Sequence, residues 1–392
     1  MKRKELGKGI YWVGVVDWDR RLFDSLIPLP DGTSYNAYLI EGSEKMALID
    51  TVDPSFSERL LGKLEDVTRL DYIISLHAEQ DHSGSIPEVL AKYPGAKVIT
   101  NTKAKSILMD HLHIPEEAFI IVKDRETISL GEKTLRFIFT PWVHWPETMT
   151  VYLEEEKILF SCDFFGSHIA TTDLYVTDRC QVYEAAKRYF AEIMMPFRST
   201  IANNIKKISD YDISMIAPSH GPVYNDPGFI MDAYKDWIEG PLENTVVIPY
   251  VSMHGSTELL VKHLVTSLEQ RGVKVELFNL AVTDIGKLAM ALVDAATLVI
   301  GAPTVLTGPH PLIVYAAYLA NALRPKTRFV SIIGSYGWGS KTIEILGGMI
   351  PNLKVEVIEP FLCKGLPTDT DFNAIEKLAD VITMKHREIG LM

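Results

Sequence analysis

The run His77-Ala78-Glu79-Gln80-Asp81-His82 offers two imidazoles and two carboxylates directly after the apolar stretch Asp71–Leu76. These are donor groups for a divalent metal ion. A helix could not turn all four to one side, because positions i and i+2 diverge by about 200°. The spacing predicts a strand end opening into a loop, and Ser83-Gly84-Ser85 lets the chain turn tightly into a following helix. Alone, the cluster also fits a solvated charged loop. Three further candidates stand at the ends of later apolar runs. His144 lies in Trp142–Pro146 after Leu135–Thr140, Asp163 follows Ile158–Cys162, and His220 lies in Ala217–Pro222 after Ile213–Ile216. An acid set directly after an apolar strand is costly to bury unless it is paired or metal-bound. Seven residues at four strand ends therefore read as one convergent site, better suited to two metals than to one. The remaining histidines, His111, His113, His168, His254, His263, His310 and His386, read as surface or packing residues, with His168 and His310 close to proposed sites.

A second constellation begins where the strand-like Val246–Val251 runs into Ser252-Met253-His254-Gly255-Ser256-Thr257-Glu258. Backbone amides at a helix start, with the hydroxyls of Ser252, Ser256 and Thr257, would cradle a phosphate. No G-K-[ST] or G-x-G-x-x-G pattern is present, so neither a nucleoside-triphosphate loop nor a dinucleotide fingerprint is spelled. On its own this segment is more often a plain helix cap. Two further loops shift the reading: Gly301-Ala302-Pro303-Thr304-Val305-Leu306-Thr307-Gly308-Pro309 and Gly334-Ser335-Tyr336-Gly337-Trp338-Gly339-Ser340. Glycine-rich turns at strand ends let backbone approach a flat ring, and Tyr336 and Trp338 offer planar surfaces to stack on it.

The elements that must position these residues change rhythm near residue 245. Before it, short strand-like runs follow closely (Asn36–Ile40, Lys45–Asp50, Tyr72–Leu76, Lys97–Thr100, Thr134–Thr140, Thr148–Leu153, Lys157–Ser161), with helical segments such as Phe56–Leu64 and Ser85–Lys92 between them. After it, strands at Val246–Val251, Val275–Leu280, Thr297–Gly301, Arg328–Gly334 and Val355–Ile358 alternate with helices. Five strands with helical crossovers predict a doubly wound parallel sheet. Gly240-Pro241 marks the linker, dividing the chain into residues 1–243 and 244–392.

The chain has 392 residues, 47% hydrophobic and 23% charged, long enough for two cores. A net charge of −12 without a basic stripe argues against nucleic-acid binding. Cys162, Cys180 and Cys363 form no C-x-x-C, which fits a reducing cytoplasm and excludes a rubredoxin-type centre from these residues. The N-terminal stretch reads as no signal peptide, and no apolar run reaches membrane-spanning length.

The H-x-E-x-D-H cluster, followed by the isolated His144, Asp163 and His220, resembles the flavodiiron proteins over essentially the whole chain. The resemblance implies an N-terminal αββα metallo-β-lactamase-like sandwich and a C-terminal flavodoxin-like domain with a five-stranded parallel sheet. It implies one iron held by His77, Glu79 and His144, a second by Asp81, His82 and His220, and Asp163 bridging them. Zinc hydrolases of the same superfamily resemble H-x-H-x-D-H at the cluster. Glu79 in place of the second histidine gives a harder shell, favouring iron or manganese. A zinc hydrolase fused to a flavodoxin is the alternative reading, and a bare electron carrier a third. The three loops resemble the flavodoxin fold, which implies FMN, although His254-Gly255 departs from its usual first loop. Flavin and diiron together match the four electrons that take dioxygen to water, and equally serve coupling of nitric oxide to nitrous oxide. The resemblance further implies a separate donor, rubredoxin or a reduced deazaflavin coenzyme, and a homodimer or homotetramer. Phe23, Trp145 and Phe165 are candidates to line the gas pocket, or plain core residues.

Overall fold

Alternation of side chains along short strands builds the first of two units in this computed structural model, which describes residues 2–392. The chain groups into Met1–Tyr189 with Phe197–Ile238, and Phe190–Pro196 with Glu239–Met392. In the first unit a seven-stranded sheet runs in the order Lys4–Gly7, Ile10–Trp12, Tyr38–Glu41, Met46–Ile49, Tyr72–Ile74, Lys97–Thr100, Phe119–Ile121. Its first four strands pair antiparallel and the rest parallel. Successive side chains point to opposite faces. Ile40, Ala47, Ile49, Ile74 and Ile99 therefore meet Leu135, Phe137, Val151 and Phe160 of a second sheet. Their neighbours Leu39, Leu48, Ile73 and Val98 pack with Leu60, Ile86, Val89 and Leu108 of the helices Ser57–Lys63, Ile86–Lys92 and Thr102–Leu112.

The second sheet has the order Thr127–Ser129, Thr134–Phe139, Met149–Leu153, Ile158–Cys162, Met215–Pro218, with only the last pair parallel. Helix Arg198–Ile208 is tied to it by Asn204 Nδ2 donating to Pro141 O (3.1 Å) and Lys207 Nζ donating to Phe139 O (2.8 Å). The layers are thus helix, sheet, sheet and helix, the expected αββα sandwich. Sequence reading missed Lys4–Gly7, Ile10–Trp12, Phe119–Ile121 and Thr127–Ser129, all of three or four residues. Such strands are too short to show a period of two.

In the second unit a parallel sheet runs Lys274–Asn279, Glu243–Tyr250, Ala295–Val305, Phe329–Tyr336, then Glu356–Val357 and Phe361–Lys364. This is the 2-1-3-4-5 order of a flavodoxin-like sheet. Helices Ser256–Gln270 and Asp369–Glu388 contribute to the core on one face, and Ile285–Leu292, Pro311–Leu323 and Thr342–Met349 to that on the other. The fifth strand comes in two pieces, and Pro360, with no N–H for a ladder, lies between them. The third strand runs past its predicted end and returns antiparallel through Gly308–Pro309. Leu306 and Thr307 turn it with φ of 48° and 69°, the paired left-handed geometry of a tight hairpin. Among the described residues, no helix is long and apolar enough to cross a membrane.

Asn36 and Tyr38 tie the first sheet to the end of Met215–Pro218 in the second, the Tyr38 hydroxyl donating to Pro218 O at 2.7 Å. Asn36 Nδ2 donates to Pro218 O and to Gly221 O, each at 2.8 Å, while its Oδ1 accepts from Trp12 Nε1 at 2.8 Å. Replacing Asn36 with alanine strands Trp12 Nε1 and Gly221 O, while Pro218 O keeps the Tyr38 hydroxyl, at a cost of about 2–4 kcal/mol. Urea denaturation of the metal-free protein is expected to show a loss of that size.

Candidate metal centre and cofactor cleft

The strand Tyr72–Ile74 leads to His77 and then to Glu79 in extended backbone, and a helical turn, Gln80–Ser83, presents Asp81 and His82. The predicted loop is therefore half helical. Ser83 Oγ donates to Ala78 O (2.8 Å) and Glu79 O (2.9 Å), which closes the turn. Thr51 fixes its far end, with backbone N and Oγ1 both donating to His82 O (2.7 and 2.6 Å). Asp163 immediately follows Ile158–Cys162, His220 stands two residues beyond Met215–Pro218, and His144 lies in the connection from Thr134–Phe139 to Met149–Leu153.

All seven predicted residues come together in two groups sharing one carboxylate. Asp163 Oδ2 faces His77 Nε2 (3.5 Å) and His144 Nε2 (3.3 Å), and Glu79 Oε2 lies 3.0 and 3.2 Å from those two nitrogens. Asp163 Oδ1 faces His82 Nε2 (3.1 Å) and His220 Nε2 (3.3 Å), and Asp81 lies 3.3 and 3.2 Å from those. Metal bonds of about 2.1 Å at 90–109° put donor atoms about 3.0–3.4 Å apart, so these are the spacings of ligands around common ions. Both oxygens of Asp81, both of Asp163 and His82 Nε2 are buried without a hydrogen-bond partner, which native proteins avoid unless another group satisfies them. The donor set fits two cations. His144 is the one member of the seven left half-buried.

The reverse sides of the rings are also held. His77 Nδ1 donates to Glu147 Oε1 at 2.7 Å, and Ala78 N donates to the same oxygen at 3.2 Å. His220 Nδ1 donates to Ser34 O at 2.7 Å. Each bond leaves Nε2 as the metal-facing lone pair. Sequence reading missed Glu147 and Ser34. Glu147 had a usable signal, an acid just ahead of the apolar run Thr148–Leu153; a backbone carbonyl such as that of Ser34 has none.

His168 is buried against His220 (ring centroids 4.7 Å) and bonded through Nδ1 to Thr33 Oγ1 (2.8 Å). Burial, with His220 beside it, holds it well below the ordinary histidine range. His386 is a core residue, between Thr297 Oγ1 and Asn244 Oδ1 at 2.7 Å each, and burial pushes it down to about 4. His310 caps helix Pro311–Leu323. Trp145 meets His77 edge-on at 4.9 Å and Phe23 lies 5.5 Å from His168, whereas Phe165 stacks on Phe164 at 4.0 Å as core.

The second unit carries a cleft lined by Ser252, Met253, His254, Ser256, Thr257, Pro303, Thr304, Ser335, Tyr336, Gly337 and Gly365. The first three loops were anticipated, and Gly365, after the strand Phe361–Lys364, was not. Gly255, Val305, Leu306, Thr307, Gly308, Trp338 and Gly339 lie in the same loops but not among the lining residues. Leu306 and Trp338 are 87% and 77% exposed, so Trp338 lies open rather than packed into the cleft. Gly255 adopts φ 91° at the head of helix Ser256–Gln270, and Ser252 Oγ accepts from Gly255 N (3.1 Å) and Glu258 N (3.3 Å). Thr257 Oγ1 lies 2.9 Å from Ser335 Oγ, linking the first loop to the third. A fifteen-residue helix start, hydroxyls and no carboxylate among the lining residues suit a phosphate ester beside a ring on Tyr336.

Residues 33–221 match the family model described as "ODP family beta lactamase". The chain is 37% identical to a nitric oxide reductase of Moorella thermoacetica, across 89% of this chain and 90% of that one. It is 33% identical to a coenzyme F420H(2) oxidase of Methanothermobacter marburgensis, across 85% and 86%. The solved rubredoxin oxygen:oxidoreductase of Desulfovibrio gigas superposes with a TM-score of 0.94 at 28% identity, covering 99% of both chains.

Metal uptake at such a site competes with protons. Burial works to lower His144 and His220, but the facing carboxylates of Asp163 with Glu79, and of Asp163 with Asp81, outweigh it and raise them to about 9 and about 10. Below those values the metal-free site holds protons that a cation must displace, so affinity rises with pH toward 9. Calorimetry in buffers of different ionisation enthalpy is expected to find proton release on metal binding at pH 7, shrinking as pH approaches 10.

Proposed function

We propose that this chain, which belongs to the flavodiiron protein family, passes electrons from FMN to a pair of iron ions and reduces dioxygen to water, nitric oxide to nitrous oxide, or both. The observation that carries the reading is Asp163, whose two oxygens each face a separate group of three donors. Glu79 supports iron over zinc, because a carboxylate there hardens the donor set. The relatives are named as oxidoreductases, which removes the hydrolase alternative. With both cofactors bound, a two-electron flavin and two ferrous ions supply the four electrons that dioxygen reduction requires.

The residues of the chain supply position and shielding. His77, Glu79 and His144 would hold one iron, Asp81, His82 and His220 the other, and Asp163 both. Glu147 and the Ser34 carbonyl fix the tautomers of His77 and His220. Ser252, Ser256 and Thr257 would take the FMN phosphate, and Tyr336 would lie against its ring. Residues 1–243 and 244–392 are the proposed iron and flavin domains. The donor would be rubredoxin or a reduced deazaflavin coenzyme, the two named in relatives. Free Cys162, Cys180 and Cys363 fit a cytoplasmic setting. Exposed Trp18, Leu22 and Leu26 in the first unit, and Met253, Leu306 and Trp338 in the second, would be covered in a homodimer or homotetramer.

Protein loaded anaerobically with two irons and FMN, then chemically reduced, is expected to consume dioxygen or nitric oxide catalytically, followed by gas electrodes. His220→Ala removes a proposed ligand outright and should lower that rate by at least the roughly 10–100-fold that follows loss of a residue supporting a ligand. Fully loaded protein that consumes neither gas would sink the proposal.

A further inference from the structure

We propose that Glu147 is a positioning residue that makes the two metal positions unequal, strengthening His77 as a ligand and favouring the more oxidised state of the metal that His77 faces. The inference rests on the two-metal reading of the site and deepens it. Glu147 is buried, with no side-chain exposure at all. Its Oε1 accepts from His77 Nδ1 at 2.7 Å and from Ala78 N at 3.2 Å, so it grips the ligand and the backbone that follows it. Its own backbone is fixed in turn, since Asn101 Nδ2 donates to Glu147 O at 2.5 Å. Asn101 Oδ1 caps helix Thr102–Leu112 through Lys103 N and Ala104 N (3.0 and 3.1 Å). The glutamate therefore cannot drift away from His77 without disturbing a helix end.

The other group also has a buried carboxylate nearby, Asp50 beside His82, but its oxygens accept from Leu76 N and Ser219 Oγ. There His220 Nδ1 donates at the same 2.7 Å, but to the neutral carbonyl of Ser34. Hydrogen bonds to an ionised acceptor are roughly twice as strong as neutral ones, and a carboxylate behind an imidazole raises its basicity toward a metal. In a buried site that charge is weakly screened. Equal hydrogen-bond lengths with unequal charges thus place more electron density on His77 than on His220. The metal facing His77 binds more tightly and gives up an electron more readily than its neighbour.

The test titrates ferrous iron under argon into metal-free wild-type protein and its Glu147→Gln variant. Loaded samples then undergo a redox titration followed by the mixed-valent electron paramagnetic resonance signal. Glutamine keeps the shape and an acceptor but removes the charge. The expected result is that one iron binds about 10–100-fold more weakly while the other is unchanged. One iron couple should move to higher potential, with the flavin couples unmoved. Glu147→Asp, which retains the charge on a shorter stem, should recover part of both effects. Equal weakening of both irons, or unchanged potentials with a lowered melting temperature, would mean that Glu147 merely braces the fold, and would overturn the proposal. Repeating the stepwise titration with zinc separates this inference from the functional reading. Asymmetric loss of zinc supports it whether or not either gas is consumed, and symmetric loss counts against it.

Discussion

A carboxylate buried to 1% exposure, with no lysine or arginine opposite it, is the constraint from which the first unit follows. The ionisable side chains that Asp163 faces within 3.5 Å are the imidazoles of His77, His82, His144 and His220. A buried charge costs several kcal/mol unless it is paired, and here Glu79 and Asp81 add charge of the same sign. Four histidines can meet them only as protonated rings or as partners in holding cations. The pull of the carboxylates on His144 and His220 is the metal-free form of the same balance. A site of this kind is unstable to small displacements, so the surrounding structure has to hold every donor within a few tenths of an ångström.

The sandwich does this by ending strands at one edge. Tyr72–Ile74 in one sheet, with Ile158–Cys162 and Met215–Pro218 in the other, run out beside each other, and each is followed within three residues by a donor. Hydrophobic packing between Ile74 and Phe160 and their neighbours sets the separation of the sheets. Polar ties set the register of the loops: Asn36 across the sheets, Thr51 on the His82 turn, and Glu147 on His77. Apolar burial supplies the energy, and those few bonds supply the aim.

Much of this was readable before the structure, for physical reasons specific to particular residues. His77, Glu79, Asp81 and His82 alone also fit a solvated loop, and they stand out because His144, Asp163 and His220 recur at the ends of later apolar runs. The alternation of strands and helices beyond Val246 is regular enough to give a parallel sheet, though not the break at Pro360. The supports were far less visible. Glu147 looks like any acid ahead of a strand, the Ser34 carbonyl carries no side-chain signature, and Trp338 looks like a stacking residue yet lies open. Sequence announces donor types, whereas the partners that orient them depend on which strands become neighbours.

The backbone itself bears on how tightly the site is held. Asp50, Trp142, Cys162 and Phe165 all have positive φ, at 52°, 63°, 55° and 68°. Non-glycine residues there cost of order 1–3 kcal/mol each where sparsely allowed. Each lies beside the candidate centre in sequence or in space. Trp142 and Cys162 precede His144 and Asp163 closely, and Asp50 Oδ1 accepts from Leu76 N, one residue before His77. Such conformations persist only where surrounding packing over-determines them, and Asp50, Cys162 and Phe165 are all fully buried. A strand that ended in relaxed geometry would continue its side chains up and down by turns. Cys162 ends the strand that delivers Asp163, and its left-handed backbone breaks that alternation just before the donor. At that one strand end, packing between the sheets holds the strained residue and with it the direction of Asp163.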